Sequence, residues 1–396
     1  MFQTTQNKNG FENFNNPTVE DIFRWRWEEF KKTHPVREIE EKEVEKMLLC
    51  RTGQNGVFIW VCEKCHRIVY QLLGCNSRLC SRCGKRYTDQ WAKRLSRKLF
   101  NVPHRHFVFS VPSQLWSCIR EDRSLWKVYM DSAIDTCDDY FPKIMRKHNA
   151  RVGIVVILHP FGKSLNFYPH LHLIITEGGF DGKGNFIPKK FIPADGLRKC
   201  WQYHVSKNLQ EAGLPSSLFT ELYKKYPKGF YVWIHRNGRI KDPRDIAKYL
   251  GRYVRHPAIA NRRIVSFDGK LVKFYYEEEN EDGYKTKHYV EMDVDEFIAA
   301  LIQHVPDRQF KMIRHYGVYA RYLKRFFRSG SLQSSIGFGF QDILYMNRWK
   351  FKPLCPHCGG MLEFVRFTTI PPPEDDLHWE IKKEDLVSWR NMMEEN

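Results

Sequence analysis

Short runs of β-branched and aromatic residues recur through the middle of the chain, each about as long as one strand. The runs that predict strands lie at 106–111, 152–159, 170–176 and 231–235. Two more apolar runs flank the turn-prone sequence at 281–283, a pattern typical of a hairpin. Helical periodicity is found between these runs at 114–147, 195–212, 243–255 and 294–303. The middle of the chain is therefore expected to be an α+β domain.

The same patterns suggest where the chain divides. Residues 1–17 are polar and rich in asparagine, which predicts a flexible leader. A helical pattern at 19–49, a cysteine cluster and a basic helix at 87–99 form a predicted N-terminal domain, 18–99. The α+β domain is assigned to 100–330, and 331–396 is expected to be a C-terminal tail.

The charge balance favours a nucleic-acid partner. Lysine and arginine number 64 against 46 acidic residues, a net charge of +18. A merely basic soluble protein is the alternative. No stretch approaches the roughly 18 apolar residues of a membrane span, and the N-terminus lacks the apolar core of a signal peptide. The protein is therefore expected in the cytoplasm, associated with the nucleoid, where its 11 cysteines stay reduced and suit metal binding.

Two CxxC pairs predict a structural zinc site. They are separated by 14 residues, so that each pair can clamp one edge of a tetrahedral ion. The predicted ligands are Cys62, Cys65, Cys80 and Cys83. His66 and Cys75 are spare candidates that could replace one of the four. Basic residues surround this cluster, which makes a DNA-binding role plausible for it.

A third pair, Cys355 and Cys358, has the spacing of half a zinc ribbon. No second pair follows it, so completion of a site needs distant residues. A turn without metal explains the pair equally well.

Three histidines predict a second kind of metal site. His170 and His172 alternate along one strand and therefore face the same side, with Cα atoms about 6–7 Å apart. If the preceding strand is their neighbour, its terminal His159 lies beside them. Three imidazoles leave coordination positions open, as catalysis requires. Half-buried polar residues are the alternative, and the rival pair His104 and His106 is interpreted as a sheet or DNA-contact element.

The helix predicted at 243–255 carries two tyrosines. Asp242 and Pro243 form a typical helix start, and Tyr249 and Tyr253 stand one turn apart on the same face. Lysine and arginine surround them. A tyrosine hydroxyl can attack a phosphate polarised by a metal. Taken alone, the spacing fits packing against a sheet better.

Together, these motifs resemble the two-tyrosine HUH transposases of rolling-circle insertion sequences, which carry an N-terminal zinc-binding domain. The resemblance runs from about Cys50 to Tyr322, through the cysteine module, the histidine strands, the tyrosine helix and the sequence at 313–317. It implies an antiparallel HUH endonuclease core, similar to an RRM-like palm with flanking helices, preceded by a small zinc-binding domain with four cysteine ligands. It also implies that His159, His170 and His172 hold catalytic Mg²⁺ or Mn²⁺, although imidazole generally prefers softer ions.

The activity implied by the resemblance is cleavage and transfer of single-stranded DNA at the element ends and target. Tyr249 or Tyr253 would attack a phosphodiester and form a 5′-phosphotyrosine link. Basic residues expected to contact phosphate are Lys248, Arg252, Arg255, Arg262, Arg263, Lys311 and Arg314. The alternatives are a zinc-dependent nucleic-acid-binding regulator and a hydrolytic, metal-dependent nuclease. A plasmid replication initiator would use the same chemistry in another setting.

Overall fold

The computed structural model describes residues 5–6, 12–96, 98–146, 150–235, 258–279, 284–320 and 353–368. Within them the helices are α1 (Val19–Thr33), α2 (Glu38–Leu48), α3 (Ser81–Ser96), α4 (Trp116–Glu121), α5 (Leu125–Met145), α6 (Ala194–Glu211), α7 (Ser216–Lys225) and α8 (Val294–Ile302). The strands are β1 (Thr5–Gln6), β2 (Glu12–Asn15), β3 (Val57–Cys62), β4 (Ile68–Leu72), β5 (His104–Ser110), β6 (Gly153–Phe161), β7 (Phe167–Thr176), β8 (Gly178–Phe180), β9 (Phe186–Pro188), β10 (Val232–Ile234), β11 (Ile264–Phe267), β12 (Leu271–Glu279), β13 (Lys285–Asp293), β14 (Ile313–Gly317) and β15 (Leu362–Thr368).

The four strand-like runs of the sequence meet in one antiparallel sheet of order β10-β5-β7-β6-β14. Alternate residues of a strand face opposite sides, so Leu171 and Leu173 of β7 enter a core with Phe107 of β5. Helices α5 and α6 cover this face, with Trp126 and Trp201 fully buried. Burying each large apolar side chain contributes about 1.5–3 kcal/mol. The predicted α+β architecture with antiparallel sheets is confirmed.

The opposite face of this sheet is only partly covered by apolar residues. Val155 and Ile157 of β6 pack there against Leu95 of α3 and Tyr319. Strand β6 is therefore apolar on both faces, which explains its unbroken hydrophobic sequence. The histidines lie further along the same face.

Two predicted helices are interrupted in the structure. The pattern at 114–147 is divided between a short 3-10 turn, α4 and α5. At the break, Asp122 accepts a hydrogen bond from the Ser124 backbone N–H at 2.9 Å, and this local bond competes with helix continuation. The pattern at 19–49 is divided between α1 and α2 near Pro35, because proline disfavours helical geometry in the residue before it.

The N-terminal helices share a core with the second half of the chain. Phe23 of α1 and Val44 of α2 pack with Phe274 of β12 and with Phe297 of α8. This packing crosses the boundary that the sequence suggested between 99 and 100. An amphipathic stripe reveals that a helix needs a partner but does not identify it.

The predicted flexible leader also contains regular structure. Strand β2 pairs antiparallel with β11, which extends the second sheet to β1-β2-β11-β12-β13. Residues 12–15 of the predicted leader thus lie in a sheet. Backbone pairing at a sheet edge requires no particular side chain, so an asparagine-rich strand gives little signal.

Part of the predicted tail, 331–396, joins the N-terminal region. Strand β15 pairs with β3 and gives a three-stranded sheet of order β15-β3-β4. Within the described residues, no helix is both long and apolar enough to cross a membrane.

Candidate metal centre

Three histidines lie side by side on one face of the central sheet. In the register of β6 and β7, His159 stands directly opposite His170, and His172 follows on the same face. The ligand nitrogens of the three lie within 4.8 Å of one another, and His159 Nδ1 is 3.2 Å from His170 Nε2. The structure therefore brings together the three histidines that sequence reasoning grouped.

Hydrogen bonds orient two of these rings. His170 Nδ1 donates to the carbonyl oxygen of Tyr168 at 2.9 Å, which directs its Nε2 toward the other imidazoles. His172 Nδ1 lies 2.9 Å from Nε2 of His106 on the neighbouring β5. A metal-binding imidazole commonly uses its second nitrogen in this way, because the bond fixes its tautomer and orientation. His106 is thus placed as a positioning residue for His172.

Sequence reasoning missed the role of His106. The pair His104 and His106 does lie in a strand, but their surroundings differ. His104 Nε2 is 2.5 Å from the Tyr319 hydroxyl in the buried core, whereas His106 contacts His172. Only the register of β5 against β7 separates these roles, and a sequence does not specify which strands are neighbours.

Burial keeps the imidazoles of His170, His172 and His106 neutral. It lowers the pKa of His170 to about 4, although the bond to the Tyr168 carbonyl opposes the shift. It also lowers the pKa of His172 well below the usual value, and the neighbouring His170 adds to this effect. Burial and the nearby His235 lower the pKa of His106 to about 3. Neutral imidazole is the form that binds a metal ion.

The donor set fits a divalent cation. Three imidazole nitrogens occupy one side of the centre and leave positions for a substrate oxygen or water. In the part of the chain that the structure describes, no carboxylate belongs to this group. Ions that accept nitrogen suit such a site better than Mg²⁺, which prefers oxygen ligands.

Two exposed aromatic residues extend the histidine face to the sheet edge. Trp233 of β10 is paired with Val108, so it shares the face of His106, and Tyr231 lies two residues earlier. The rings of Trp233 and His106 meet edge to face with centroids 5.6 Å apart. Tyr231 and Trp233 remain 53% and 38% exposed, which leaves aromatic surface available beside the histidines.

A cleft borders the other end of the site. It is lined by His159 and Phe161 of β6, by Arg78 and by His304. Arg78 belongs to the segment between β4 and α3, so the cysteine-rich region contributes to the wall of this cleft.

The predicted nucleophiles Tyr249 and Tyr253 lie outside the described residues, as do Lys248, Arg252 and Arg255. The described chain reaches His235, whose backbone N–H donates to the His106 carbonyl oxygen at 3.1 Å.

The remaining predicted phosphate contacts have different surroundings. Arg262 is exposed and Arg263 half-buried in a short 3-10 helix, and Lys311 is exposed. Arg314 packs over Phe310, and its guanidinium lies 3.5 Å from Asp131. The charge of Arg314 is already paired within the fold.

The structure contradicts the predicted zinc ligand set. Cys62 and Cys65 lie in the turn at one end of the β3–β4 hairpin, whereas Cys80 and Cys83 follow beyond its other end. Strands of five or six residues separate the two ends by about 17–20 Å. One ion cannot bridge the two CxxC pairs, and each pair instead joins a different cysteine cluster.

Cys80 and Cys83 form the first cluster with Cys50 and Cys75. All four sulfur atoms lie within 4.8 Å of one another, and Cys50 Sγ is 3.7 Å from both Cys80 Sγ and Cys83 Sγ. Cys75 was a spare candidate in the sequence. Cys50 was missed, because it stands alone after α2 and has no CxxC partner. The second cluster comprises Cys62, Cys65, Cys355 and Cys358.

Known proteins match both regions of the chain. Residues 153–325, which include the three histidines, match a family model described as "Putative transposase", and residues 22–111 match "Transposase zinc-binding domain". The chain is 30% identical over 300 residues to the transposase for insertion sequence element IS801 of Pseudomonas savastanoi pv. phaseolicola, covering 72% of this chain and 71% of that protein. The chain is a transposase of the IS91 family.

A second relative agrees with this assignment. The transposase is 26% identical over 319 residues to the putative transposase y4qJ of Sinorhizobium fredii (strain NBRC 101917 / NGR234), covering 76% of this chain and 80% of that protein. No solved structure matches the chain. A transposase acts on DNA, and the zinc-domain match together with the cysteine clusters supports structural zinc in this protein.

Proposed function

We propose that this transposase cuts and rejoins single-stranded DNA through a covalent tyrosine intermediate, beside a metal ion held by His159, His170 and His172. The observation that carries the proposal is the convergence of these three imidazoles, without a fourth ligand among the described residues, on one face of the sheet. Structural sites are closed by four ligands, whereas three ligands leave room for a reacting group.

The metal site supplies charge at the scissile phosphate. Bound Mg²⁺ or Mn²⁺ would polarise a phosphoryl oxygen and stabilise the charge that develops there. The β6–β7 ladder holds the three imidazoles in register, and His106 fixes the ring of His172. Because the donors are all nitrogen, we also expect measurable affinity for Zn²⁺ or Ni²⁺.

Tyr249 and Tyr253 are the proposed nucleophiles. The tyrosine oxygen attacks phosphorus, and the bond between phosphorus and the 3′-oxygen breaks. The tyrosine loses its proton, and the leaving oxygen gains one to become a free 3′-hydroxyl. One phosphoester bond replaces another, so the step needs no ATP and can reverse on another strand. Two tyrosines permit two successive cleavages.

The substrate is proposed to be single-stranded DNA at the element ends and at the target. Tyr231 and Trp233 offer exposed rings next to the histidines, and stacking on an aromatic ring suits an unpaired base of any sequence. Arg262 and Lys311 are exposed cations that can contact phosphate. These features favour a splayed single strand across the sheet face.

The proposed catalytic domain has an HUH, RRM-like architecture. Its support is the antiparallel five-stranded sheet with α5 and α6 packed on one face and the histidines on the other. In the zinc-binding region, we assign the family's structural zinc to the cluster of Cys50, Cys75, Cys80 and Cys83. With this assignment, the zinc-binding region lies beside the cleft at His159. The DNA on which the transposase acts is proposed to be that of the nucleoid.

The experiment tests for the covalent intermediate. Purified transposase is mixed with labelled single-stranded oligonucleotides from the DNA that flanks its gene, with Mg²⁺ or Mn²⁺, and adducts that resist SDS are measured. We expect the adduct to be lost in the Tyr249→Phe, Tyr253→Phe double variant and in His170→Ala. Tyr203→Phe on α6 and His288→Ala on β13 are matched controls, because both residues are outside the histidine face.

Other outcomes identify the alternatives. Cleavage without an adduct would indicate a hydrolytic nuclease and contradict the tyrosine step. Tight, salt-sensitive binding without cleavage would favour a zinc-dependent binding protein. Comparison of the single tyrosine variants ranks the two nucleophiles.

A further inference from the structure

We propose that Cys62, Cys65, Cys355 and Cys358 form a second zinc site, a ribbon that joins segments 296 residues apart. This site is distinct from the cluster assigned above and shares no ligand with it. Its four sulfur atoms lie within 4.8 Å of one another. Cys62 Sγ is 3.4 Å from Cys358 Sγ, and Cys65 Sγ is 3.8 Å from Cys355 Sγ.

These sulfur distances fit one tetrahedral ion. With Zn–S bonds of about 2.3 Å, the edge of a regular tetrahedron is about 3.8 Å. A disulfide requires sulfur atoms about 2.05 Å apart, well below the separations here. Four thiolates are a donor set that zinc prefers, and a closed set of four is typical of a structural site.

The backbone builds two turns that face each other. In the first turn, the N–H groups of Lys64 and Cys65 each donate to Cys62 Sγ at 3.4 Å. In the second, the Cys355 N–H donates to the Gly360 carbonyl oxygen at 2.7 Å. The Glu63 N–H donates to the Met361 carbonyl oxygen at 3.0 Å and connects the two turns.

Gly360 permits the close approach of the turns. A Cβ atom at this position would lie 2.7 Å from the Cβ of Lys64 and 3.0 Å from Cys62 Sγ. Any larger residue would therefore push the two turns apart. The strand register continues the contact, because Leu362 of β15 stands opposite Cys62 of β3.

The fully buried core of this unit is small. The buried residues around the second cluster are Cys62, Cys355 and Leu362, and a separate small cluster contains Val57, Ile59 and Val365. Such a small core rarely holds a three-stranded sheet by itself, so small domains use metal ions or disulfides. Zinc binding thus supplies folding free energy here and fastens β15 to the N-terminal hairpin.

The test compares metal content between cysteine variants of the full-length protein. We expect Cys355→Ser with Cys358→Ser to lose one zinc equivalent per chain relative to wild type. Cys75→Ser with Cys80→Ser should also lose one zinc equivalent, the one bound by the other cysteine cluster. Cys118→Ser, a control outside both clusters, should lose none. Cobalt substitution distinguishes the cysteine sites from the histidine site, because only cysteine ligands give the thiolate-to-cobalt absorption. This absorption should fall by about half in each double variant.

A second measurement needs no variant and remains informative if one fails to fold. Native wild-type protein is titrated with a zinc chelator and alkylated, and each modified cysteine is identified by mass spectrometry. We expect Cys62, Cys65, Cys355 and Cys358 to become reactive together in one step. Reaction of Cys355 and Cys358 before any zinc is released would overturn the proposal. So would a disulfide within the four, or equal zinc contents in wild type and the first double variant.

Discussion

The histidine face and the cysteine clusters of this transposase differ in the scaffold that holds the candidate ligands. The three histidines lie on adjacent strands of one sheet, where the β6–β7 ladder fixes their spacing before any ion binds. The cysteines lie in turns and at the ends of elements, and those of the second cluster border only a small buried core. A metal should therefore contribute reactivity at the first site and folding free energy at the second.

The largest expected effect is a loss of cleavage activity, without a loss of stability, when a residue of the histidine face is substituted. We expect His170→Ala to reduce single-strand cleavage by about a thousandfold, which corresponds to several kcal/mol of transition-state stabilisation. The thermal midpoint should hardly change, because the sheet is held by the core on its opposite face. Cleavage rates and thermal unfolding of the same preparation check both expectations. A large fall in the midpoint would show that this metal also has a structural role.

For the cysteine cluster in the zinc-binding region, substitution of one cysteine is expected to lower the stability of the protein. Cys80→Ser removes a fully buried thiol of the proposed zinc site and should lower the free energy of unfolding by about 4 kcal/mol or more. Chemical denaturation with and without added chelator measures this loss. Cys118→Ser is the matched control and should remain near wild type. A stable Cys80→Ser protein that retains its zinc would contradict the ligand assignment.

A smaller effect is expected at His106, because in the proposed site it positions His172 and does not itself bind the ion. His106→Ala should weaken metal binding about 10–100-fold. Excess metal should then restore most of the cleavage rate, and His106→Gln should retain more affinity than His106→Ala. Calorimetric metal titration and cleavage at increasing metal concentration test this. A defect that saturating metal does not relieve would argue for a direct role in the reaction.

The smallest effect concerns a contact remote from both kinds of metal site. Arg26 of α1 donates two hydrogen bonds of 2.8 Å to Asp295 of α8, and these bonds lower the pKa of the Asp295 carboxyl. Asp295→Asn should cost about 1 kcal/mol at neutral pH, since the pair is partly exposed.

The pH dependence of that effect has a defined sign. A carboxyl whose pKa is lowered by folding stabilises the protein above its unfolded pKa of about 3.9. That stability is lost as the pH falls through the lower, folded pKa. Thermal midpoints of wild type and Asp295→Asn should therefore converge in acid and differ most near neutrality. A constant difference across this range would show that the ion pair contributes nothing.

Much of the central sheet could be predicted because its signals are local. Alternating β-branched and aromatic residues identified β5, β6 and β7, and the spacing of His170 and His172 placed both on one face. His159 required one assumption, that β6 pairs with β7, and the structure confirms it. By contrast, the break at Asp122 depends on one side-chain hydrogen bond, which periodicity does not reveal.

The sequence by itself determined the kinds of candidate ligand in this transposase and the strands that carry the histidines. Both depend on residue type and on the alternation of side chains along a strand. Only the tertiary structure decided which cysteines cluster together, because the β3–β4 hairpin separates two adjacent CxxC pairs and Cys355 meets Cys65 across 290 residues. It also decided that His106 supports His172. Both contacts depend on strand pairing between distant segments, for which sequence spacing carries no physical signal.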